Sequence, residues 1–261
     1  MSFARLKQRA SLLWYYSIGI LGLRSNDIIL TSFPKSGNTW IRFFLCNLIS
    51  LEEWGGEPVT FPKLNATMPE LGVNNLFKVW KYNAIPRVVK THKPYWRIFK
   101  GHRVILLVRD PRDVMVSYYH FEKEKRDKSF VGSFSEFIRH PTFGVEAWCE
   151  HFASWRSEAS VIVTYEDLQH DDVTEFSRML QAVDVDVDER LIREAATRSR
   201  FESMRKAEEK EGVRRSGEFF EEEGEFMRRG ERGQWQEYFN SEDMQYTRRI
   251  VGKHDIEEYN L

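Results

Sequence analysis

Short apolar segments that alternate with helical patterns restrict the fold of this chain more than any other feature. Ile28-Ile29-Leu30 leads into the turn-rich Ser32–Asn38, after which Ile41, Phe44, Leu45, Leu48 and Ile49 recur on one face of a helix. The unit is strand, tight loop, helix. Arg87–Thr91, Val104–Val108 and Val161–Thr164 read as further buried strands. After the third strand Arg109-Asp110-Pro111 turns the chain, with Asp110 suited to cap a helix and Pro111 to open it over residues 113–125. Helical spacing also marks 134–139, 145–157, 173–182, 188–197 and 241–250. Buried strands that alternate with helices predict an α/β fold: a central parallel sheet with helices on both faces. Residues 51–85 hold Gly55, Gly56, Pro58, Pro62 and Pro69 and read as a loop-rich excursion. No repeat or linker divides the chain, so residues 1–261 are expected to form one domain.

Charge narrows the function. The chain carries 39 Lys and Arg against 40 Asp and Glu, a formal charge of −1, and is 41% hydrophobic. A nucleic-acid binder with a basic excess and a disordered chain are both excluded. Local asymmetry remains: from Leu71 to Arg109 there are nine Lys and Arg and no acid, so an anion is expected there. Cys46 and Cys149 sit in apolar helical patterns and read as buried thiols. The uncharged run Ser11–Leu23 is too short to span a bilayer. Residues 1–26 are expected to dock on the domain or to touch a membrane surface through 11–23.

Three constellations carry chemistry. Pro34-Lys35-Ser36-Gly37-Asn38-Thr39-Trp40 combines a glycine, a lysine and two hydroxyls at a helix N-terminus, which makes a phosphate cradle. It is P-loop-like but is not the nucleotide-triphosphate loop, because Lys35 precedes Gly37. Arg109 leaves a strand at its C-terminal end, where open α/β sheets place ligands, and Ser117 follows in the next helix. Phe226-Met227-Arg228-Arg229-Gly230 sets two arginines beside a glycine, with Gly233 and Trp235 close behind. The seven His show no metal-ligand spacing.

Together and in this order, the three segments resemble the signatures of the PAPS-dependent sulfotransferase family, the soluble cytosolic type. Thr31 and Phe33–Trp40 are similar to its first motif, with Asn38 in place of Thr. Residues 109–121 follow its second almost residue for residue, and Phe226, Arg228, Arg229, Gly230, Gly233 and Trp235 match its third, with Gln234 in place of Asp. The resemblance implies transfer of a sulfuryl group from 3′-phosphoadenosine 5′-phosphosulfate (PAPS) to a hydroxyl or amine, leaving PAP, without a metal and in the cytoplasm. It implies that Lys35, Ser36, Gly37, Asn38 and Thr39 hold the phosphosulfate and that Trp40 stacks on adenine, with Tyr165 and Phe201 as further contacts. Arg109, Ser117, Arg228, Arg229 and Gly230 would bind the 3′-phosphate. Within Lys90-Thr91-His92, the one match to the family's K-T-H segment, His92 would be the general base. Lys35 and Lys90 would stabilise the charge that grows as the S–O bond breaks, and Ser117 would restrain Lys35.

The acceptor is less constrained. Phe61, Trp80, Tyr82, Tyr95, Trp96, Tyr118, Tyr119, Phe143 and Trp148 lie in segments expected to face the sulfuryl end. Aromatic walls favour a small hydrophobic or aromatic hydroxyl compound; a glycan or glycolipid acceptor, or a non-catalytic PAP-binding role, is the alternative. The family's K-x-x-x-T-V-x-x-x-E dimer motif has no clear copy, since residues 203–223 are highly charged.

Overall fold

The computed structural model describes residues 19–125, 129–211, 230 and 232–256. Among them four strands form one parallel sheet: β1 (Ile28–Ser32), β2 (Val88–Thr91), β3 (Arg103–Val108) and β4 (Val161–Thr164), in the spatial order β2-β1-β3-β4. Leu30 of β1 pairs with Lys90 on one side and with Ile105 on the other. The helices are α1 (Asn38–Glu53), α2 (Phe61–Thr67), α3 (Pro111–Glu124), α4 (Phe134–Ile138), α5 (Val145–Trp155), α6 (Tyr165–His170), α7 (Asp172–Ala182), α8 (Glu189–Ser199), α9 (Phe201–Glu211) and α10 (Ser241–Lys253).

Period-two alternation divides the interior into two cores. Ile28, Leu30, Val88, Ile105 and Leu107 point to one face, where α1, α7 and α8 cover them through Ile41, Phe44, Leu48, Phe176, Met179 and Ile192. Phe44 and Phe176 stack with ring centroids 3.7 Å apart. Ile29, Val89, Val104, Leu106 and Val108 point to the other face, beneath Val114, Phe137, Trp148, Phe152 and Ile250 of α3, α4, α5 and α10. A sheet buried on both faces needs continuous apolar strands, as the sequence predicts.

Local rules set several helix starts. The Asp110 carboxylate accepts the Arg112 backbone N–H at 2.8 Å and Pro111 opens α3, as expected. The 51–85 excursion is not wholly irregular: it contains α2, capped by the Thr60 hydroxyl, with Pro62 in the first turn. A proline tolerated at a helix start looks like a breaker when counted with its neighbours. Cys46 and Cys149 are free and buried, and burial pushes both thiols up to about 12. Of the N-terminal apolar run, Leu23 packs on the second core and Gly19 lies against Leu71; residues 11–18 fall outside the described residues. No described helix is long and apolar enough to cross a membrane.

At the amino ends of β1 and β2 sits a fully buried ion pair. Arg87 grips Asp27 in a fork, Nε to Oδ1 at 2.8 Å and Nη2 to Oδ2 at 2.6 Å. Two further N–H groups donate to the carbonyl oxygens of Leu76 and Gly22. The N-terminal segment, the excursion and the sheet thus meet on one guanidinium. Removing one partner strands a buried charge, so Arg87→Met is expected to cost about 3–5 kcal/mol in urea unfolding, with part recovered in Asp27→Leu/Arg87→Met.

Candidate active site

The sheet changes winding direction at β1. The chain crosses from β1 to β2 on one side and returns to β3 on the other, opening a crevice outside the strands' carboxyl ends. A cavity of about 530 Å³ lies there.

The loop after β1 forms one wall. Lys35 (φ 66°) and Gly37 (φ 102°) both adopt left-handed backbone, which curls the turn into the first turn of α1. No side chain caps α1, so its leading N–H groups are presented to an anion. Gly37 is required twice over. Its positive φ disfavours a side chain, and a Cβ there would sit 2.6 Å from Cδ2 of Tyr165.

Each neighbouring strand adds a piece. Beyond β2, His92 Nδ1 lies 2.7 Å from the Ser32 carbonyl oxygen. A carbonyl only accepts, so Nδ1 carries the proton and Nε2 keeps the lone pair. Ser32 is tied in turn by the Asn38 amide at 3.2 Å. Burial first and the Lys90 ammonium second push His92 down to about 3, so the ring is neutral near pH 7. Lys90 pairs with Glu70 at 2.9 Å, and its backbone bonds to the residues on either side of Glu70: Lys90 N–H to the Pro69 carbonyl and Leu71 N–H to the Lys90 carbonyl. Glu70, despite its burial, is held below the usual carboxylate range by the charge and hydrogen bond of Lys90. Beyond β3, the Arg109 guanidinium lies over the Tyr165 ring at 4.3 Å.

A further segment closes the far side. Gly230 accepts from the Tyr165 hydroxyl (2.9 Å) and the Gln169 amide (2.7 Å), and its α-carbon faces Phe201 so closely that a Cβ would approach to 2.5 Å. Buried Asp113 accepts the backbone N–H groups of Gly233 and Trp235, and Arg112 stacks on the Trp235 indole at 4.1 Å. The third motif is thus fastened to the second.

Of the residues expected to act, Lys35, Gly37, Asn38, Thr39, Trp40, Lys90, His92, Arg109, Ser117, Tyr165, Phe201 and Gly230 all line the cavity. Ser36 is buried next to it and does not join the wall, and Arg228 and Arg229 lie outside the described residues. The aromatic expectation largely fails. Phe61 and Tyr118 line the cavity, whereas Trp80 packs on Tyr82, Tyr95 on Trp155, Phe143 on Phe137, and Trp148 in the core on Phe152. Tyr119 turns to the Gly132 carbonyl, and Tyr82 and Trp96 also lie off the wall. Phe121 lines the cavity instead, with the Lys35 ammonium 4.6 Å above its ring. Sequence reasoning missed Glu70 and Gln169. The helical spacing of Tyr165 and Gln169, four residues apart, was the available signal for the second.

A family model of the sulfotransferase domain matches residues 25–256. The chain belongs to the sulfotransferase family. Enzymes of this family, mouse sulfotransferase 1B1 and mouse sulfotransferase 6B1, are 26% and 29% identical to it, over 82% and 83% of this chain and 77% and 72% of theirs. Its fold is similar to that of retinol dehydratase in complex with retinol and PAP (TM-score 0.72, 18% identity, 96% of this chain and 87% of that one). It is also similar to mouse sulfotransferase SULT7A1 complexed with PAP (TM-score 0.68, 19% identity, 95% and 90%). The sulfotransferase class expected from the motifs is therefore the class of this chain, and the parallel sheet expected from its strands is that of the family's solved members. Among the described residues no His, Cys, Asp and Glu cluster could hold a metal.

The buried histidines of this sulfotransferase give it an acid-sensitive window. His151, whose Nε2 lies 3.3 Å from the Thr31 hydroxyl, is pushed down to about 3 by burial first and His92 second, from the ordinary 6.5. A depressed histidine leaves stability intact above its unfolded value and loses it as pH falls towards the folded value. The urea midpoint is therefore expected to fall as pH drops from 6.5 to 4.5, and to fall less steeply in His151→Gln, which keeps a partner for Thr31.

Proposed function

We propose that this chain transfers a sulfuryl group from PAPS to the hydroxyl of a small apolar acceptor, with His92 as general base. The observation that carries the reading is the His92–Ser32 hydrogen bond. It assigns the lone pair to Nε2 of a neutral imidazole on the cavity wall, between the Lys35 turn and Lys90.

The residues present fit the nucleotide. The uncapped N-terminus of α1, the left-handed Lys35–Gly37 turn and the buried Ser36 hydroxyl, which has no partner among the described residues, form a cradle for a phosphosulfate. Lys35, Ser36, Gly37, Asn38 and Thr39 would hold that group, and Arg109, Ser117 and Gly230, with Arg228 and Arg229, the 3′-phosphate. Trp40, Tyr165 and Phe201 supply the aromatic faces for adenine. When bound, PAPS supplies a sulfuryl group already activated by its bond to phosphate. His92 Nε2 removes the acceptor's proton as that hydroxyl attacks, and the Lys35 and Lys90 ammonium groups offset the negative charge that develops. No metal is invoked for this step.

The acceptor end is lined by Phe61, Val73, Tyr118 and Phe121, a wall suited to an apolar body with one hydroxyl. Retinol dehydratase, a solved relative of the fold, is seen in one complex with retinol and in another with androsterone. The wall favours such compounds over a glycan.

Transfer of labelled sulfate from PAPS to a panel of alcohols, phenols and glycans tests the reading; binding of PAP with no acceptor sulfated would leave only a binding protein. His92→Ala is expected to lower turnover by about 10²–10⁴-fold with PAP affinity nearly unchanged. Arg109→Ala should instead weaken PAP binding by roughly tenfold or more in calorimetry, the size of a lost charge-assisted contact.

A further inference from the structure

Gln169 sits near the end of α6, on the same face as Tyr165. With Trp40 and Phe201 it forms a wall shared by the main cavity and an adjoining one of about 460 Å³. Its amide has only one tenable orientation. Nε2 donates to the Gly230 carbonyl at 2.7 Å, where the Tyr165 hydroxyl also donates, and turning the amide would set two acceptor oxygens against each other. Oε1 is therefore the atom left over. It is buried, and no donor among the described residues reaches it.

A buried acceptor without a donor is costly, so a site that keeps one is shaped for a ligand that brings the donor. We propose that Gln169 Oε1 accepts a hydrogen bond from the exocyclic amine of the adenine, and so makes this side chain the selector of adenine over 6-oxo purines. The inference rests on the nucleotide reading above and adds the base-reading atom to it. Adenine carries an NH₂ donor at C6; hypoxanthine and guanine carry a carbonyl there, which would meet Oε1 as acceptor against acceptor. Trp40, Tyr165 and Phe201 offer aromatic faces, which stack on any base and cannot make this distinction. Among these neighbours the amide oxygen is the unsatisfied acceptor; the Trp40 indole N–H is a donor and cannot accept from an amine.

The test compares dissociation constants of PAP and its hypoxanthine counterpart, 3′-phosphoinosine 5′-phosphate, on the full chain and on two variants. The parent chain is expected to prefer PAP by about ten- to a hundredfold, the range for one buried acceptor satisfied against unsatisfied. Gln169→Lys keeps a donor for Gly230 and removes the acceptor, so the preference should collapse to within about threefold of unity. Gln169→Glu keeps the acceptor and loses the Gly230 donor, so both nucleotides should bind more weakly while PAP stays preferred. Because the readout is a ratio on one variant, a general loss of structure does not move it. A preference for PAP retained in Gln169→Lys, or equal binding of both nucleotides by the parent, overturns the role of Gln169 and leaves the enzyme reading standing. Failure of the parent to bind PAP at all overturns both.

Discussion

Parallel pairing of β1 with a neighbour on either side makes the chain leave the sheet repeatedly at one edge, and the winding reversal at β1 keeps helices from closing that edge. Four of the pieces that line the cavity arrive through this constraint. The Lys35 turn follows β1, His92 follows β2, Arg109 follows β3 and Tyr165 follows β4. No single loop contains the site. Four strand ends, held about 4.8 Å apart by ladder hydrogen bonds, bring together residues that lie more than a hundred positions apart in the chain.

The two ends of these strands treat charge in opposite ways. At the amino edge, Asp27 accepts two N–H groups of Arg87 and the Arg24 backbone N–H, and Arg87 donates further to the carbonyl oxygens of Leu76 and Gly22. At the carboxyl edge, α1 begins without a side-chain cap, and Ser36, Trp40 and Gln169 each bury a polar atom that no described residue satisfies. The first arrangement stabilises the fold by itself. The second leaves hydrogen-bonding capacity for a ligand, so a bound nucleotide would stabilise the protein by mass action.

The sheet was largely legible in the sequence because a strand buried on both faces cannot hide its composition; Val104–Val108 has no other sensible reading. The cap and first residue of α3 were legible for a local reason, since Asp110-Pro111 encodes a helix start in two residues. Helix α2 was not, because Pro62 in its first turn and the surrounding glycines give the same signal as a loop. Helix α9 was not, because charge dominates Phe201–Glu211 and its inward stripe is only Phe201, Met204 and Ala207. Most of the site residues expected from the contiguous motifs line the cavity, apart from Ser36 and from Arg228 and Arg229, which fall outside the described residues. Glu70 and Gln169 were not legible, since their importance comes from the partners to which the fold brings them. The aromatic wall was misjudged for a related reason: sequence shows that Trp148 or Phe143 is near a site-bearing strand, and only packing shows which face of its helix or turn is inward.

The Glu70–Lys90 pairing couples two tasks that could have been separate. The excursion that walls the acceptor end is attached to β2 by hydrogen bonds on both sides of Glu70, and residues 70–74 then turn back on the Glu70 carbonyl to place Val73 on the cavity wall. The strand that carries Lys90 and leads into His92 is therefore the post to which this part of the cavity wall is tied. A change in the length or content of the excursion before residue 69 or after residue 74 would reshape the cavity wall and leave these bonds to β2 in place. Any change within 69–71 would alter the pocket and displace Lys90 together.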